Sequence, residues 1–204
     1  MKSLIISATA AASLLASAAT AQQAAAPAQP QNPGPQIPGL CVFHNARLLA
    51  QSSVGQAVDT RMQQLAQEVQ GELAPYAQQL QTEAQSLQSS GASLPADQLQ
   101  ERRQALQQRA QEAQQLEATR ENELRYTLAT QRQAITQALS PILVAAYQER
   151  GCGMLIDRES VFIMNPAHDI TDLAIQRLNT ALPTLSFNRL QVPAQQSAAP
   201  AAAN

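Results

Sequence analysis

The spacing of apolar positions changes several times along the chain, and each change marks an element boundary. Residues 4–18 are a short run of Leu, Ile, Ala, Ser and Thr behind the single basic residue Lys2. The run is too short and too weakly hydrophobic for a membrane anchor, and Ala19-Thr20-Ala21 has the small-x-small pattern of leader cleavage. Residues 1–21 are therefore expected to be a signal peptide cut between Ala21 and Gln22. Residues 22–38 are mostly Pro, Gln and Ala, without enough apolar bulk to fold, which predicts a disordered linker. The same composition returns in 191–204, a disordered tail.

Leu40-Cys41-Val42-Phe43, between Pro38-Gly39 and His44-Asn45, reads as a strand. From about residue 54 to 89 the period becomes helical. Val58, Met62, Leu65, Val69, Leu73, Tyr76, Leu80 and Leu87 recur every three to four residues, with Gln, Glu and Arg between them. So narrow a seam predicts a two-helix coiled coil rather than a helix buried in a core. Pro75 falls inside it and predicts a kink. Ser89-Ser90-Gly91 through Leu94-Pro95 supplies a turn, and Asp97 sits where a helix N-terminus favours negative charge. A second seam follows to about residue 150, through Leu99, Leu106, Ala113, Leu116, Leu124, Leu128, Ile135 and Leu139, with Pro141 as another bend. Two seams of similar length across a short turn predict an antiparallel helical hairpin; an arm of about 35 residues would project roughly 50 Å.

Residues 154–156 and 161–164 are strand-like runs around Asp157-Arg158-Glu159-Ser160, which predicts a β-hairpin. Asn165-Pro166 ends it. Asp169 is the expected N-cap of a last helix carrying Ile170, Leu173, Ala174, Leu178 and Leu182, stopped by Pro183. The predicted fold class is α+β, mostly α: a small β-rich body (39–53 and 150–190) carrying a coiled-coil helical arm (54–149).

Composition supports this picture. The 204 residues are 45% hydrophobic but only 3% aromatic, with 7 Gly, so Ala and Gln dominate and long helices are favoured over a sandwich. A net charge of −2 excludes an electrostatic nucleic-acid binder. Lys2, the one lysine, leaves with the leader. Export would place Cys41 and Cys152 in an oxidising compartment. The two flank the hairpin on the body, and they either pair as an intrachain disulfide or stand as two buried thiols. A body of three short strands and one helix is too small for a self-sufficient core and has strand edges to cover, which predicts a homo-oligomer.

The order strand, long helical hairpin, strand, strand, helix resembles the Skp/OmpH family of periplasmic chaperones. The C-terminal residues Gly153-Met-Leu-Ile-Asp157, Val161-Phe-Ile and His168-Asp-Ile-Thr171 are similar to that family's final strands and helix start. Leu40-Cys-Val-Phe-His-Asn45, with a helix opening near Val54-Gly55, is similar to its first strand and helix. The resemblance implies a jellyfish-like homotrimer whose bodies assemble together and whose arms enclose unfolded outer-membrane proteins in the periplasm, without ATP or a cofactor. Residues 55–150 carry eight Arg against eleven acids; this departs from the strongly basic arms of the family's named chaperone and argues against carrying over lipopolysaccharide or membrane contact.

Nothing in the chain points to catalysis. His44 and His168 are the only histidines and are not spaced as a metal-binding pair. There is no phosphate loop or nucleophile elbow, and the acids of the arms are scattered as on a solvated helix face. The expectation is a non-enzyme with no catalytic, cofactor or metal residues, whose clients are held by many weak contacts. The competing class is a periplasmic coiled-coil scaffold without client-holding activity; the bends at Pro75 and Pro141 favour a cage of adjustable width over a rigid scaffold.

Overall fold

The computed structural model describes residues 34–193. The expected leader, its cleavage point between Ala21 and Gln22, most of the linker and most of the tail lie outside the described residues. Strand β1 (Leu40–Phe43) leads into a short helix α1 (Asn45–Gln51) and the long helix α2 (Ser53–Ser90). A 3-10 turn at Gly91–Ser93 connects to α3 (Ala96–Glu149), followed by strand β2 (Met154–Asp157) and helix α4 (Thr171–Ala181).

β1 and β2 pair in parallel, in register from Leu40 opposite Met154 to Phe43 opposite Asp157. Parallel neighbours need a crossover between them, and here the crossover is the whole helical hairpin. The arm is thus an insertion into one sheet connection, so its root is fixed where both helices leave the body. The end of α3 is shaped for this return. Gly151 takes a positive φ of 65° that most side chains disfavour. Its N–H donates to the Gln148 carbonyl while the Cys152 N–H reaches back to the Tyr147 carbonyl, the Schellman arrangement. Gly39, also at positive φ (74°), accepts from the Gly153 and Met154 N–H groups with one carbonyl and starts the pairing.

The expected β-hairpin does not form. Residues 154–157 are a strand, but 161–164 are irregular and the Phe162 side chain is 96% exposed. Arg158–Ser160 is a 3-10 turn in which the Asp157 carboxylate accepts the Glu159 N–H and the Arg158 guanidinium holds the Val161 carbonyl. The turn leads the chain away from β2. The far edge of β1 is bridged by Asp169 instead, and the Ile170 N–H donates to the Val42 carbonyl. Asp169 also accepts the Thr171 N–H at 2.8 Å, although the residue at the cap position of α4 is Ile170.

The core lies where the root of the arm meets the body. Cys41, Phe43, Leu48, Val54, Val58, Ile135, Leu139, Ala146, Cys152, Ile170, Ala174 and Leu178 form one buried cluster. α1 was not legible as a helix in its own right; it buries only Leu48, a side chain whose burial contributes about 1.5–3 kcal/mol. Ser52 caps α2 by accepting the Gly55 N–H at 3.2 Å, and Gly55 must stay small because an added Cβ would overlap the Leu49 carbonyl. Helices α2 and α3 run on through Pro75 and Pro141. Each proline lacks the N–H owed to the carbonyl four residues back, at Gly71 and Gln137, both exposed and so within reach of water.

Candidate functional site

The arm divides into a dry root and an open outer half. At the root, Val58, Leu65 and Val69 of α2 and Ile135 and Leu139 of α3 are buried. Beyond Val69, Leu73, Leu80 and Leu87 are only half-buried, as are Leu99, Leu106, Ala113 and Leu116 opposite, and Tyr76 is 48% exposed. Alanines on both helices are too short to close the space between them. The result is an apolar groove of about 420 Å³ along the seam, lined by Leu73, Tyr76, Leu80, Ala110, Ala113 and Glu117 among others.

Between root and groove the buried face of α3 is polar. Glu123, Thr127 and Gln131 are buried at a spacing of four and continue into Ile135 and Leu139. The apolar reading followed Leu124 and Leu128, which are half-buried; the true face is centred one position earlier. Glu123 and Thr127 of this stripe find partners in the chain after α4. Residues 183–193 form no helix or strand and lie as a strap over α2 and α3. Leu185 and Phe187 pack against the core cluster. Arg61 donates to the Phe187 carbonyl at 3.2 Å and to the Asn188 side chain. The Leu190 N–H donates to Thr127 Oγ1 at 2.8 Å, while that hydroxyl donates to the Glu123 carbonyl.

Arg189 ties the strap to both helices. Its guanidinium contacts Glu72 of α2 at 2.9 Å and Glu123 of α3 at 3.0 Å. Arg120 contacts the same two carboxylates, each at 2.9 Å. Two arginines and two glutamates thus alternate, and Glu123, 5% exposed, is a buried charge with two partners. The hydrogen bond from Arg189, aided by the nearby charges of Arg189 and Arg120 and opposed by burial, holds the Glu72 carboxyl below its ordinary range. The hydrogen bond to Glu123 is the main reason that the Arg120 guanidinium holds its proton more tightly than usual. The signal for this cluster was a lone acid in an otherwise regular buried face, with an arginine in a stretch read as the end of the body.

The other residues singled out from sequence fall as follows. Cys41, on β1, and Cys152, just past the α3 cap, are joined as a disulfide with Cα atoms 5.7 Å apart. His168 is buried, and its Nε2 accepts the Ile37 N–H at 3.2 Å. The His44 backbone N–H donates to Thr171 Oγ1 at 2.9 Å. Among the described residues no group of three or more His, Cys, Asp or Glu side chains could hold a metal ion, and no helix is long and apolar enough to cross a membrane.

A mostly helical hairpin inserted into a small two-stranded body defines the architecture. Residues 39–178 match the OmpH-like outer membrane protein family, and the chain belongs to that family. It is similar in structure to an OmpH-like outer membrane chaperone candidate from Caulobacter crescentus CB15, with 34% identity and a TM-score of 0.71. That likeness covers 80% of this chain and 96% of the other. No curated protein matches the chain. The family match ends before the strap begins.

Proposed function

We propose that this protein is an ATP-independent periplasmic chaperone that holds unfolded outer-membrane β-barrel proteins and keeps them from aggregating. The observation that carries the reading is the open apolar groove on the outer half of an arm whose root is dry and cross-linked. Such clients expose alternate apolar residues before insertion and need weak, dispersed contacts that also release. Many shallow contacts at high effective concentration supply affinity without one tight site. Family membership and the Caulobacter crescentus relative support the same reading, and a disulfide across the body suits an oxidising compartment. The active species is a homotrimer. Met154, Phe162 and Ile163 of the body are exposed apolar side chains that assembly would cover.

The test is dilution of a urea-unfolded β-barrel protein into buffer with the intact chain or with a version whose arms are shortened symmetrically about Gly91, through about residues 75–110. The intact chain should suppress light scattering without ATP, and the shortened one should lose most of that effect while its body stays folded. Full suppression by the shortened chain would overturn the reading in favour of a coiled-coil scaffold.

A further inference from the structure

The strap departs from a simple C-terminal trailer in three ways. It forms no helix or strand, and over residues 185–189 its side chains alternate: Leu185, Phe187 and Arg189 are partly buried, while Ser186 and Asn188 are exposed. This is the period-two pattern of a β-strand with one covered face. Its backbone is recognised by side chains of the arm, the Phe187 carbonyl by Arg61 and the Leu190 N–H by Thr127, contacts that do not depend on which side chains the bound segment carries. It also completes the charge balance of the cleft. Without Arg189, Glu72 and Glu123 would share Arg120 alone, leaving a net negative site with one buried carboxylate half-satisfied, a costly arrangement.

We propose that the cleft between α2 and α3 at the arm root is an acceptor site for an extended, alternately apolar peptide segment carrying an arginine. Residues 184–193 fill it in cis, and unfolded client segments of the same chemistry compete with them. The second half of this proposal rests on the holdase reading given above. The strap is the template for the occupant, because it is the segment seated there. Transmembrane β-strands alternate apolar and polar residues in the same way, and the arm's apolar groove begins at Leu73 and Glu117, next to the Glu72 and Arg120 anchors. A client strand entering at the root could therefore continue into the groove. The strap keeps the dry half of the arm closed until a client displaces it.

The experiment uses a fluorescein-labelled peptide of residues 184–193, titrated by anisotropy against the oxidised full chain and against a chain ending at Pro183. The shortened chain should bind one peptide per protomer at least tenfold more tightly than the full chain, and a peptide with Arg189→Glu should bind at least tenfold more weakly. An unfolded β-barrel protein should displace the peptide and bind the shortened chain severalfold more tightly than the full one. A shortened chain that retains its helical circular dichroism yet binds no peptide, or binds both peptides equally, overturns the acceptor site. Failure of the client to displace bound peptide overturns the competition. Should the shortened chain not fold, the full chain with Arg189→Ala replaces it: peptide binding should rise severalfold above wild type, and unchanged binding overturns the site. Aggregation suppression by the intact chain is measured alongside. Suppression without peptide binding removes the acceptor site alone, whereas peptide binding without suppression removes the holdase reading and the client competition with it.

Discussion

Breaking the bond between Cys41 and Cys152 should cost this protein a large share of its stability while leaving its native structure nearly unchanged. The two residues are 111 positions apart, and the loop they close contains the entire arm. In the chain-entropy argument, closing a loop of this length removes enough freedom from the unfolded chain to stabilise the fold by about 4–5 kcal/mol. The effect acts on the unfolded state, because β1 and β2 are already held by their own register and by the Gly39 carbonyl. Both sulfurs lie in the core cluster, so Cys41→Ala with Cys152→Ala leaves small apolar side chains there rather than buried hydroxyls. Urea titrations followed at 222 nm, at one fixed protomer concentration, should show the midpoint of the double variant lower by roughly 2 M. Thermal midpoints should fall by about 10 °C or more. Reduction of the wild type should reproduce both shifts, with two thiols per chain counted after unfolding. The native far-ultraviolet spectrum should not move. Midpoints unchanged within about 2 °C, with both thiols shown to be free, would refute the loop argument. A large loss of native helicity would instead mean that the bond holds the arm root in place directly.

Two further outcomes test the charge cluster and the body. Because the folded-state pKa of Glu72 lies below its ordinary value of 4.5, its contribution is complete at neutral pH and is lost as pH falls below that value through the lowered one. Glu72→Gln should therefore lower the thermal midpoint by about 1–3 °C at pH 7, in keeping with a half-exposed ion pair. The gap from wild type should close progressively below pH 4.5; a gap that closes between pH 7 and 5, or persists at pH 2, would contradict the assignment. If the protein assembles as the proposed homotrimer, Phe162→Asp should convert it to monomers at micromolar concentration by light scattering, since a charge there opposes burial of an exposed apolar patch. A trimer of unchanged stability would place the contact elsewhere on the body.

The parts of this fold written in one dominant signal were legible. The seam of α2 follows a regular apolar period, as does that of α3 outside the polar stretch at Glu123, Thr127 and Gln131, and their turn carries Gly91 and Pro95, so the hairpin could be read from spacing. The disulfide partners were both found, with pairing left open, because cysteine positions say nothing of which way β1 and β2 run. The parallel pairing was missed for that reason. Two apolar runs around a polar tetrapeptide look like a hairpin, and nothing local reveals that β1, over 110 residues upstream, takes the first run as its neighbour. Residues 161–164 have strand-forming side chains, but within one protomer Phe162 is 96% exposed and Ile163 49%, and propensity without burial does not make a strand. α1 has too few turns for a period to show.

The strap was hidden for a different reason, and that reason connects stability to the proposed function. Apolar scans look for Leu and Val, whereas the face of α3 that receives the strap is written in Glu123 and Thr127, with an acid that is tolerable only if buried charge finds partners. A root sealed with apolar side chains alone would bind the strap more permanently than one in which Leu185 and Phe187 share the seal with charge and two backbone hydrogen bonds. Polar contacts of this kind are satisfied equally by any extended chain offering an arginine and free backbone groups, so the seal has a definite geometry but an exchangeable occupant. That property is what a chaperone without a nucleotide cycle needs: the free energy of ordering the arm root is then supplied by whichever segment occupies it, strap or client. On the proposed reading, release would follow from competition between the two rather than from hydrolysis.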